Sequence, residues 1–171
     1  MLPKTRKKLI REMEILCLPI CEISSQFSEL VGRVSYFELD SFPAGVFVSD
    51  LHDVAICSRD EEPAIEVAEP TCGAPSLELV LYRDNTSLRE EISESWEATR
   101  RRKELLQSVM AELLRLNGGD LQPRGEIRMA DVAEACNVHV THVSRALDKK
   151  KCLIKQKTFS CLEFIRGFEP R

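Results

Sequence analysis

The stretch Met129–Leu147, MADVAEACNVHVTHVSRAL, constrains this chain more than any other. Counted from Met129, the fifth residue is the small Ala133 and the ninth is Asn137. Two helices can cross closely only where a side chain is small. The turn between them needs a left-handed residue, a conformation Asn accepts more readily than other non-glycine residues. Val132, Cys136, Val138, Val143 and Ala146 fill the positions that must face inward. The pattern predicts a helix-turn-helix. His139, Thr141, His142, Ser144, Arg145 and Asp148 then project from its second helix as a row of donors and acceptors, the kind of surface that reads a major groove.

Lys149, Lys150, Lys151, Lys155 and Lys157 follow at once. Cations directly after a recognition helix stand where phosphate contacts are expected. The candidate DNA-binding residues are therefore His139, Thr141, His142, Ser144, Arg145, Lys149, Lys150 and Lys151. Two short amphipathic helices joined by a tight turn can also do nothing more than pack a core, so a protein-interaction module is the bland alternative.

Charge divides along the chain in a way that fits the first reading. The net charge of -4 conceals 9 Lys+Arg against 18 Asp+Glu in residues 1–96, and 15 against 10 in residues 97–171. Phosphate would repel the acidic half, which is read as facing protein. The 7 cysteines are odd in number and irregularly spaced, with no C-x-x-C pair and no secretory segment ahead of them, so reduced cytosolic thiols are expected. Cys17 and Cys21 could share a helix face, but two ligands do not make a zinc site. No metal, cofactor or catalytic residue is assigned, and no apolar run is long enough for a membrane span.

Pro3 suits a first helical turn, and Leu9, Ile10, Met13, Leu16 and Cys17 follow at helical spacing until Pro19. A second helical stripe runs from Ile20 to Val34, so the N-terminus reads as a helix pair. Short β-prone runs come next, at Gly45–Ser49, Asp53–Ser58, Ala64–Ala68 and Ser76–Tyr82, and read as a small meander. The acidic cluster Asp60, Glu61 and Glu62 tops one of its turns. Ser87 and Glu90 have the spacing of a capping box that opens a long helix, whose stripe of Leu105, Leu106, Val109, Met110, Leu113 and Leu114 needs a partner. The run Arg100–Lys103 on that helix reads either as a phosphate contact or as a solvated face. Asn117-Gly118-Gly119 stops the helix. After the recognition helix, Cys152–Ile154 and Thr158–Ile165 flank a turn at Lys155-Gln156-Lys157 and read as a two-stranded wing.

Taken in order, RRKELLQSV, LQP, MADVAEAC, NVHVTHVSRA and TFSCLEFI resemble the DNA-binding region of bacterial sigma-54, the enhancer-dependent sigma factor of RNA polymerase. The helix-turn-helix alone equally resembles the head of LacI-type repressors, which place it at the N-terminus and lack these flanks. Upstream, FPAGVFVSDLHDVAI resembles the strand that opens the link from the family's core-binding part to its DNA-binding part. The family's activator-responsive N-terminal region and C-terminal signature helix have no counterpart in these residues. The resemblance is therefore to a C-terminal portion of that factor, shortened or divergent.

The expected fold class is α+β: an N-terminal helix pair and small β-meander, then a mainly α helix-turn-helix domain with a short closing β-element. Residues 1–84 are expected to form a polymerase-core-binding part and residues 85–171 the DNA-binding domain. The resemblance implies a non-enzymatic, cytoplasmic, nucleoid-associated bacterial protein whose partners are duplex promoter DNA and core RNA polymerase. An enhancer-binding activator ATPase would engage it only through the missing N-terminal region. A repressor whose N-terminal half senses a ligand or dimerises is the other alternative.

Overall fold

The computed structural model describes residues 2–35, 52–59, 62–68 and 86–167. Its elements in chain order are helices α1 (Leu2–Cys17) and α2 (Ile20–Ser35), strands β1 (Val54–Arg59) and β2 (Glu62–Val67), and a 31-residue helix α3 (Thr86–Leu116). The short helices α4 (Met129–Ala135) and α5 (Val140–Leu147) follow, then strands β3 (Lys151–Ile154) and β4 (Lys157–Ser160) and a 3-10 turn, Cys161–Phe164. The fold is α+β, as the alternation of helical and two-residue periods predicts. No helix among the described residues is long and apolar enough to cross a membrane.

Helix α3 is the spine. Along its first half, Ala98 packs with Ile15 and Ile23 of the N-terminal helix pair, and Leu18 and Trp96 close the edges of that small cluster. Along its second half, Leu106, Val109, Met110 and Leu113 are fully buried against a mixed four-stranded sheet and against α4 and α5. The helix ends where Asn117-Gly118-Gly119 was expected to stop it. Gly118 and Gly119 take φ of 71° and 77°, and the Gly119 N–H reaches back to the Leu114 carbonyl at 2.9 Å. Such backward bonds satisfy carbonyls that the helix itself leaves open. The helix is described from Thr86 onward, and the expected capping box at Ser87 and Glu90 rests on a side chain outside those described.

Strand order in the sheet is β2-β1-β3-β4. Strands β1 and β2 form an antiparallel hairpin, β3 and β4 form another, and the two join through a parallel pairing of β1 with β3. Val54 pairs with Cys152 and Ile56 with Ile154, all four buried on the face toward α3. The division at residues 84 and 85 is thus not a boundary between two cores. The hairpin placed in the N-terminal part shares one apolar cluster and one sheet with the C-terminal elements, which bury its inner face.

The expected strand Thr158–Ile165 is shorter than its β-prone residues suggested. Ser160 turns the chain: its hydroxyl accepts the Leu162 N–H at 3.3 Å, while the Glu163 carboxylate accepts the Ser160 N–H at 2.7 Å. This reciprocal capping starts the 3-10 turn. The expected strands Gly45–Ser49 and Ser76–Tyr82, and the acids at 60 and 61, lie outside the described residues.

Candidate nucleic-acid interface

Helix α4 ends in a turn that depends on one backbone angle. Asn137 has φ of 52°, the left-handed conformation expected from its ninth place in the motif. That angle lets the Val138 N–H reach the Ala133 carbonyl and the Asn137 N–H reach that of Glu134, both at 3.0 Å. The turn therefore satisfies the end of α4 and redirects the chain into α5. Asn137→Gly is expected to leave stability unchanged or slightly raised, whereas Asn137→Val should cost roughly 1 kcal/mol or more, since a β-branched residue is strained at positive φ. Thermal denaturation of the two variants distinguishes them.

His139 caps α5, with its Nδ1 accepting the Thr141 N–H at 3.2 Å. Val143, Ala146 and Leu147 turn inward and are buried, which fixes the opposite face of α5 outward. His139 and Thr141 are exposed on that side, and His142, Ser144 and Arg145 are half-buried. The His142 ring buries its Nδ1 without a hydrogen-bond partner. Val140, 39% exposed, adds an apolar contact point at the start of the helix. Arg145 lies in the last turn of α5, where a cation is favoured by the helix dipole, and it forms no ion pair with the described residues.

Lys149 and Lys151 are exposed beside this face, but Lys150 is not available to phosphate. Only 1% exposed, it donates from Nζ to the carbonyls of Cys17 at 2.9 Å and Asp148 at 3.0 Å. The reason is strand parity. Lys150 alternates with the buried Cys152 and Ile154, and its ammonium satisfies the open carbonyl end of α1.

The arginine run on α3 is likewise spoken for. Arg100 faces Glu104 at 3.6 Å, and Arg101 pairs with Glu12 of α1. Arg102, 2% exposed, donates to the buried Asp53 carboxylate at 2.5 Å and to the Leu18 carbonyl at 3.3 Å. Nearer the candidate interface, Arg124 is held by Asp120 and Arg128 by Asp131. Among the described residues, Arg145, Lys149 and Lys151 around α5 form no ion pair.

Burial next to Arg102 lowers the Lys150 ammonium to a pKa of about 8 from 10.5, desolvation being the main cause and the Arg102 charge the second. The folded protein therefore releases this proton more readily than the unfolded chain. Between pH 8 and 10.5 the difference favours the folded state as pH rises. The Cys161 thiol is raised by its hydrogen bond with Cys152 and by burial, and so acts in the opposite sense in alkali. Relative to Lys150→Met, the parent should gain stability across that window, as read from urea midpoints at pH 8 and pH 10.5.

No protein-family model matches the chain, and no curated protein matches it.

Proposed function

We propose that this protein binds duplex DNA through α5 and serves as a sigma-54-like promoter-recognition factor tethered to core RNA polymerase. The observation that carries the reading is the unit α4–Asn137–α5, which buries one side of α5 and leaves a polar side facing outward with Arg145, Lys149 and Lys151, none of them ion-paired among the described residues. Lys149 and Lys151 would hold phosphates, which positions the helix without reading sequence. Arg145 would read base edges, since a guanidinium can donate two parallel hydrogen bonds to guanine. The acidic balance of residues 1–96, which lies downstream of the two N-terminal helices, favours a protein surface over phosphate and supports the assignment of that part of the chain to polymerase. The role is binding, without catalysis.

The test uses the full chain, because residues 85–171 alone would lose β1, β2 and the partner of Arg102. Duplex DNA should be retained with an affinity whose logarithm falls linearly with the logarithm of salt concentration, and immobilised core polymerase should retain the protein. Absence of salt-dependent DNA retention would overturn the DNA-binding reading. DNA retention without polymerase retention would leave an ordinary repressor.

A further inference from the structure

We propose that the tip of the β3–β4 hairpin, Lys155 and Gln156, is a second DNA-contact surface that grips the phosphate backbone flanking the groove occupied by α5. The inference rests on the DNA-binding reading above and adds a site separate from that helix.

Backbone conformation points to it. Lys155 and Gln156 have φ of 46° and 67°, so the two-residue connection between β3 and β4 is of the type that needs positive φ at both central positions. Asn-Gly and Asp-Gly fit such a turn, and a long side chain at either place is disfavoured. Lys149 stands in the same left-handed region, with φ of 57°. Of the four non-glycine residues with positive φ among those described, three fall between 149 and 156, and none of these three is the Asn or Gly the backbone prefers. Strain of this kind persists where a side chain is kept for what it does.

Chemistry and placement narrow the occupant to a phosphate backbone. Lys155, Gln156 and the neighbouring Lys157 are exposed and present only N–H donors and an amide at the tip. Asp120, the acid near Lys155, already accepts from Arg124 at 2.9 Å and from the Gln122 N–H at 3.0 Å. Strand β3 leaves the end of α5 past Lys149 and Lys151 and runs four residues to the tip. At about 3.3 Å per residue the tip therefore stands roughly 13 Å along the chain from the cations that follow α5.

The double change Lys155→Asn with Gln156→Gly supplies the turn with the residues it prefers while removing the charge. In the full chain it should raise the melting temperature by about 2–4 °C. It should also weaken duplex binding several-fold at low salt and make the salt slope shallower by about one, with sequence preference unchanged. Gln156→Gly alone, which keeps Lys155, should stabilise the protein and retain the parent's slope. If the double variant binds DNA with the parent's affinity and slope, the proposal is overturned while the DNA-binding reading stands. The same holds if it loses polymerase retention instead, which would assign the tip to an acidic protein surface. A parent that does not bind DNA would overturn the reading itself.

Discussion

Asp53→Ala is expected to destabilise the protein by about 3–5 kcal/mol, the usual consequence of stranding a buried charge. The carboxylate serves three elements at once. Its Oδ1 accepts from the Ile20 N–H at 2.8 Å and from Arg102, and its Oδ2 accepts from the Lys151 N–H at 3.1 Å. Without it, Arg102 would be left buried close to the Lys150 ammonium, with its second terminal nitrogen already lacking a partner. The first turn of α2 and the start of β3 would lose their anchor in the same step. A urea titration measures the loss, and adding Arg102→Met should recover part of it, because the penalty lies in the orphaned charge more than in the missing bond. A single variant within about 1 kcal/mol of the parent would show that this buried pair does not hold the elements together.

Arg145→Ala carries the second large effect, on binding. It should lose on the order of 1–3 kcal/mol on the preferred site and little on random DNA, because only a base contact distinguishes the two. The contrasting variant removes Lys149 and Lys151 together. These flexible point charges hold backbone, so their loss should weaken all sequences alike and reduce the salt slope. Lys150 is excluded from that comparison, since its replacement would disturb the contact with α1. Binding-site selection on both variants decides the matter. If the Arg145 variant kept the parent's preference while the lysine variant lost it, the roles of reader and holder would be reversed.

Local structure was legible wherever a local rule governs it. The helical stripe on α3, the glycine stop after it and the left-handed Asn137 follow from residue types over a few positions. The parallel pairing of β1 with β3 was not legible, since no local signal marks a partner so far along the chain. Arg102 and Lys150 were misread for a different reason. In the run RRRK and the run KKK every cation resembles its neighbours by composition, yet spacing separates them. Arg102 stands four residues before Leu106, on the stripe that α3 buries, and Lys150 stands two before Cys152 on the inward side of β3. Periodicity applied to charged residues as well as apolar ones would have found both. At the candidate interface the outward row on α5 was legible from the motif. The left-handed Lys155 and Gln156 were not, because neither residue type announces positive φ.

The parallel pairing also orders events during synthesis. Strand β1 meets β2 as soon as the hairpin leaves the ribosome, but its other edge stays open until β3 appears, and Asp53 and Lys151 are 98 residues apart. At about 5–20 residues per second, that edge is unpaired for roughly 5–20 s. An open edge flanked by apolar Val54 and Ile56 is a template for pairing with other nascent chains. Ribosomes stalled shortly before Lys151 should therefore display a chain that chaperones recognise, and emergence of β3 should hide it.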